Sequence, residues 1–204
     1  MTASVFERLF YLPVHNTISV IASAFGLALP FLHTPRITHV AYWPRWELDN
    51  RTVEPDVFFR IEDRRGGGVF DFIVEAKPSA HRPRQSREQL EREAGAYQEQ
   101  FGGDADRVFM LAIGGLGRDA LAGLRALTVG LDTGMEWHAC DWLGVRRAVE
   151  TLDPVTAGPR LRADILASLD LAGHRDWQLF HAMPPRHGAG NFVQSRRTLE
   201  GSLQ

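Results

Sequence analysis

Two carboxylates and an ammonium stand where they could act together on a phosphodiester: Asp56 in Pro55-Asp56, and Glu75 and Lys77 in Glu75-Ala76-Lys77. Each half falls on a stretch that reads as a β-strand. The polar, glycine-rich run from Glu62 through Asp63, Arg64, Arg65 and Gly66 to Gly68 reads as the turn between them. A hairpin of this kind brings the three groups to one end of a sheet. Strand side chains alternate, so Phe70, Phe72, Val74 and Ala76 share one face and Asp71, Ile73, Glu75 and Lys77 the other. Pro78 cannot donate to a ladder and ends the strand, leaving Glu75 and Lys77 at a strand end where solvent and substrate are expected. Magnesium takes hard oxygen ligands octahedrally and keeps several waters. Asp56 and Glu75 would supply two oxygens and the Ala76 carbonyl a third. Lys77 would orient or deprotonate the attacking water, or stabilise the developing charge.

The elements that must position this set follow in order. Val5 to Leu12 reads as a short helix and Asn16 to Leu29 as a buried one, opened by Asn16 or Thr17. Ile37 to Trp43 reads as a first strand, and the two motif strands come next. Arg84 to Phe101 is an amphipathic helix with Leu90, Ala94, Tyr97 and Phe101 as its buried stripe, ended by Gly102-Gly103. Arg107 to Ile113 reads as a central strand, Arg118 to Leu127 as a helix and Met135 to Trp142 as a further strand. Trp142 to Leu152 and Pro159 to Ala172 read as two closing helices. Residues 1–183 are read as one domain with a C-terminal helical addition, and 184–204, rich in Gly, Pro, Ser and Arg, as a flexible tail or docking arm.

With its motif residues in this order, the chain resembles the PD-(D/E)XK nuclease superfamily, the restriction-endonuclease-like proteins, over residues 5–142. The resemblance implies an α/β fold: an αβββαβ core whose mixed central sheet is flanked by helices. It implies a metal-dependent nuclease, with Mg²⁺ or Mn²⁺ as cofactor and DNA as substrate, in prokaryotic defence, repair or mobile-element processing. A glutamine on the helix after the lysine strand supports the site in many members. Gln89 is the match here and Gln85, one turn earlier, the alternative. An acidic residue on the first helix is also common, and Glu7 is the candidate, as a further metal ligand. The arginines Arg64, Arg65, Arg82, Arg84 and Arg87, with His81, could track a phosphate backbone or form a solvated loop beside an acid-rich helix. The alternative reading is a non-catalytic member of the same fold, a binding or assembly subunit. Superfamily members often work as homodimers or with partner subunits.

Composition narrows the other classes. The 204 residues carry a formal charge of −2, so no global basic field advertises nucleic acid, and a local patch would have to suffice. One cysteine, Cys140, excludes an intramolecular disulfide and a cysteine-rich zinc site; a reducing cytoplasm is the expected setting. No Asp, Glu, Lys or Arg occurs between Arg8 and Arg36, but Pro13 and Pro30 hold any helix there below the ~20 residues a bilayer needs, so no membrane span is expected. Gly114-Gly115-Leu116-Gly117 resembles a dinucleotide-binding turn, yet Ala120 stands where the third glycine belongs, and a tight strand-to-helix turn accounts for it better. His138 and Cys140 share a strand face with no second ligand pair nearby. Trp43 and Trp46 could stack bases, though nothing in the sequence singles them out.

Overall fold

The computed structural model describes residues 2–66, 68–79 and 83–174. His81, Arg82 and the expected tail from residue 184 lie outside the described residues. Two helices, α1 (Thr2–Phe10) and α2 (Val14–Phe25), open the chain. The strand β1 (Pro35–Tyr42), a small hairpin of β2 (Trp46–Leu48) and β3 (Arg51–Val53), and the strands β4 (Val57–Asp63) and β5 (Val69–Ala76) follow. Then come α3 (Arg87–Phe101), β6 (Arg107–Ile113), α4 (Ala120–Thr128), β7 (Glu136–Cys140), α5 (Trp142–Glu150), α6 (Pro154–Ala157) and α7 (Pro159–Leu171). The protein is α/β, with a five-stranded mixed sheet in the order β1-β4-β5-β6-β7. The β1–β4 and β4–β5 pairs are antiparallel, and β5–β6 and β6–β7 are parallel. No described helix is long and apolar enough to cross a membrane.

Apolar clusters cover both faces of the sheet. On one, α1, α2, α5 and α7 pack over Phe59, Phe72, Val74 and Phe109. Phe59 stacks on Phe72 with ring centroids 4.6 Å apart, and Phe72 on Phe109 at 4.9 Å, a ladder of three rings across β4, β5 and β6. Stacked aromatic pairs add about 0.5–1.5 kcal/mol each beyond their area, and here they pin register. Phe59 pairs with Phe72 across the antiparallel β4–β5 ladder. Three residues back from one and three on from the other, Asp56 falls opposite Glu75. A one-residue slip would move every side chain to the other face and separate the two carboxylates.

On the opposite face α3 lays Ala94, Tyr97 and Phe101 over Phe58, Ile73 and Met110, with Trp46 of the small hairpin packed edge-on against Phe58, Tyr97 and Phe101. This face of β5 also carries Asp71, which is fully buried. Arg60 grips it with two hydrogen bonds of 2.7 Å, and the Tyr97 hydroxyl donates a third at 2.7 Å. Tyr97 is thus a core residue whose polar end is spent on Asp71.

The β4–β5 turn is held by Asp63. Its carboxylate accepts from the backbone amides of His33 at 2.9 Å and Thr34 at 2.8 Å. Burial raises its pKa, but hydrogen bonds from the Thr34, His33, Arg65 and Gly66 amides outweigh that and hold it well below the usual carboxylate range. A lowered folded-state pKa gives stability that is present above the unfolded value, near 4, and is lost as pH falls through the lowered one. Asp63→Asn is therefore expected to melt below wild type at neutral pH, with the gap closing under increasingly acid conditions; a gap that is independent of pH would contradict this.

Sequence and structure part at several elements. The buried N-terminal helix ends at Phe25, where Gly26 adopts a left-handed φ of 65°, instead of running to Leu29. The helix expected from Arg84 starts at Arg87, because the Ser86 hydroxyl caps it by accepting from the Gln89 amide at 3.2 Å. The β2–β3 hairpin and the short α6 were not anticipated. In the hairpin both turn residues, Asp49 and Asn50, adopt positive φ (51° and 59°), as a two-residue primed turn requires.

Candidate functional site

The end of β5 is fixed first by its backbone. The Lys77 amide donates to the Ile113 carbonyl at 2.7 Å, and the Trp142 indole donates to the Lys77 carbonyl at 2.8 Å. Trp142 is itself buried, so Lys77 is clamped at both peptide groups. Asp56, just before β4, accepts from the Ala76 amide at 2.8 Å. In extended chain the N–H and C=O of one residue project to the same side of the strand, so the Ala76 carbonyl also faces Asp56.

Four side chains meet there. The Lys77 ammonium donates to Glu75 and, at 3.1 Å, to the Gln89 amide oxygen. The Gln89 amide nitrogen donates to Glu93 at 3.0 Å. Glu93 lies close enough to Glu75 for the Glu75 charge to act on it. Gln85, 5% exposed, sits behind the ring and donates to the Glu75 carbonyl at 3.1 Å and the Ile113 carbonyl at 3.5 Å. Of the two glutamines considered, Gln89 is the one whose side chain reaches Lys77, and Gln85 braces the backbone.

Glu75 was expected at a solvent-facing strand end, but it is only 3% exposed, under α3. Burial pushes its pKa up and Asp56 adds to that, against the pull of Lys77. Glu93, 1% exposed, is raised further, by burial first and then by the Glu75 charge. One of its oxygens, Oε2, has no hydrogen-bond partner. Two buried carboxyls, one held up by burial and Asp56 and the other by burial and Glu75, form a site short of positive charge.

The donor set suits a hard divalent cation: oxygens only, from Asp56, Glu75 and the Ala76 carbonyl, with a buried, unpartnered carboxylate oxygen alongside. Among the described residues no three His, Cys, Asp or Glu side chains close into a ligand cage. A cation here would keep several waters, as magnesium ordinarily does. A cavity of about 140 Å³ between β3 and α3 is lined by Thr52, Val53, Glu54, Gln89, Arg92 and Glu93.

The other expected residues are scattered. Glu7 is exposed on α1, where its charge helps to raise the pKa of the Tyr42 hydroxyl at the end of β1. The apolar side of α1, Val5, Phe6 and Leu9, packs into the core on the other sheet face. Arg64 and Arg65 lie in the β4–β5 turn, at the opposite end of the hairpin from Asp56 and Glu75. Six or seven strand residues at ~3.4 Å each put them roughly 20 Å away. Arg87 donates to Glu91 and to the Leu127 and Val129 carbonyls at the end of α4, so it ties α3 to α4. Arg82 is outside the described residues. Arg84 stays close: it lines a cavity of about 210 Å³ with Gln85, Gly115, Leu116 and Gly117.

That cavity explains the glycine run after β6. A Cβ on Gly115 would lie 2.8 Å from the Lys77 Cγ and 2.9 Å from the Gln85 nitrogen and Pro83 oxygen; on Gly114 it would lie 2.6 Å from the Lys77 carbonyl. Gly115 also has a φ of 68°. These glycines let the β6–α4 turn nest against the segment carrying Lys77. Gly115→Ala should cost at least ~1–2 kcal/mol from the left-handed backbone alone, read by chemical denaturation, and a neutral result would show the approach to be looser. The expected packed strand at His138 and Cys140 is what the structure has: Cys140 is buried, and burial lowers the His138 pKa.

Comparison with known proteins adds one relative. An uncharacterized protein of Pasteurella multocida (strain Pm70) is 32% identical over 116 residues, 57% of this chain and 41% of that protein. The chain thus spans about two fifths of the relative's length. No family model matches the chain. No solved structure matches it either.

Proposed function

We propose that the protein is a metal-dependent nuclease with a restriction-endonuclease-like fold, hydrolysing phosphodiester bonds in DNA. The observation that carries this reading is the convergence of Asp56, Glu75, Lys77 and Gln89 at one end of β5. The order of sheet and helices around β5 also agrees with it.

A bound Mg²⁺ would lower the pKa of a coordinated water and offset charge on the phosphoryl oxygens. Asp56 and Glu75 would hold it, with the Ala76 carbonyl between them. Lys77 would act on the water: its ammonium is directed by Gln89, and its pairing with Glu75 would loosen if that carboxylate held a cation. Gln89 is held in turn by Glu93, so the ammonium keeps one direction. Burial under α3 strengthens each of these interactions relative to open water.

The test is cleavage of supercoiled plasmid, linear duplex and single-stranded DNA in Mg²⁺, Mn²⁺ or EDTA. Cutting that requires metal is expected. Absence of cutting on every substrate, with no calorimetric metal binding, would move the protein to the non-catalytic binding or assembly role.

A further inference from the structure

Trp43 stands at the same end of the sheet as the acidic cluster, and its backbone is strained. Its φ is 49°, although it is bulky and precedes Pro44. Positive φ in a bulky residue is a genuine outlier, and a following proline restricts the backbone towards extended conformations. Strain of this kind persists only where the surroundings over-determine it, and it clusters at functional sites. What holds Trp43 is its amide, which donates at 3.1 Å to the carbonyl of Asp56. Burial compensates only in part, since 54% of the residue is exposed. Trp46, three residues on, is 3% exposed and wholly core. The result is a half-exposed indole whose backbone is tied to Asp56.

The neighbours fit the same task. The Tyr42 ring lies 6.4 Å from that of Trp43, and Tyr11, 70% exposed, is close enough to influence the Tyr42 hydroxyl. Arg45 is largely exposed and, among the described residues, pairs with Glu54 at the surface, a weak pairing that a phosphate could replace. From β1 across β4 to β5 is two inter-strand spacings, about 10 Å. A base stacked on Trp43 would thus belong to a nucleotide adjacent to a phosphate held at Asp56 and Glu75.

We propose that Trp43 is a stacking platform for an unpaired nucleobase, which makes single-stranded DNA, or a strand end opened from duplex, the preferred substrate. The proposal rests on the nuclease reading for its choice of ligand. In duplex DNA the base faces are stacked on their neighbours, whereas a single strand offers them freely.

The experiment uses Glu75→Gln as a non-cutting background and measures binding of a fluorescein-labelled oligo(dT) and of a duplex of equal length by anisotropy. Adding Trp43→Gly should weaken single-strand binding on the order of 5- to 150-fold, the range for loss of one base–aromatic stack. Duplex binding should change little and Trp43→Phe should retain most of the affinity. Because glycine relieves the left-handed strain, Trp43→Gly should also melt no lower than its parent, whereas a merely structural tryptophan would lower the melting temperature. Equal loss on both DNAs, or unchanged single-strand binding, overturns the platform. If wild type cuts DNA while Trp43→Gly binds single strands normally, the platform alone falls. Trp43-dependent single-strand binding by a protein that never cuts would keep the platform and remove the hydrolytic reading.

Discussion

Lys77→Met should lower DNA cleavage on the order of 10²–10⁴-fold, the range for losing a positioned acid–base group, and Glu75→Gln, which removes a metal ligand of the proposed centre, should lower it at least as far. Both variants should keep a cooperative melting transition. Glu75 is buried, so truncation to alanine would leave a cavity beside Lys77 and confuse loss of chemistry with loss of packing. Glutamine keeps the shape and can still accept from Lys77, but it supplies no negative charge to a cation. Methionine keeps the apolar stem of Lys77 and removes the ammonium that Gln89 directs. The buried Glu75 left behind in that variant can take a proton, since its pKa is already raised. Cleavage surviving in both variants would place the chemistry elsewhere.

The largest effect on stability is expected on the same strand, two turns of its alternation earlier. Asp71→Ala should destabilise the fold by about 3 kcal/mol, the lower end of the range for breaking a buried ion pair. The lower end applies because Arg60 keeps a fifth of its side chain in solvent, while Asp71 has none. The variant also strands the Tyr97 hydroxyl, which donates to Asp71 from the middle of the α3 core. Urea unfolding checks this, and a change below 1 kcal/mol would mean that Arg60 finds Asp104, 3.9 Å away, as an adequate substitute.

How far these features were legible in the sequence depends on whether the signal was local. The span of β6, Arg107–Ile113, coincides with its apolar run, and the α3 stripe of Leu90, Ala94 and Tyr97 is buried as its spacing implies. The end of β5 at Ala76 follows from Pro78. Placement of the arginines failed for a geometric reason: a hairpin that joins Asp56 to Glu75 at its open end must carry its turn residues to the far end. Arg64 and Arg65 were near the motif in sequence only. Arg87 failed differently, since its partners are carbonyls about forty residues on.

Glu93 was missed although a signal existed. Leu90, Glu93, Ala94 and Tyr97 fall at i, i+3, i+4 and i+7, so the carboxylate interrupts an apolar stripe. Ser86-Arg87-Glu88-Gln89 carried another. It has the form of a capping box, in which the glutamine turns back to the cap residue. Here Ser86 caps the Gln89 amide, but the Gln89 side chain is committed to Lys77 and Glu93 instead. Local rules broken in this way mark functional positions. The β2–β3 hairpin was obscured because its turn, Asp49-Asn50, lacks the glycine that usually announces one.

The most direct measurement is cleavage of supercoiled plasmid by wild type and Glu75→Gln in Mg²⁺ and in EDTA, with Mn²⁺ binding to both proteins followed by calorimetry. The expected result is metal-dependent cutting and saturable Mn²⁺ binding by wild type, both lost in Glu75→Gln. Cutting that persists in EDTA, or Mn²⁺ binding unchanged by the substitution, would contradict a cation-dependent centre at the end of β5.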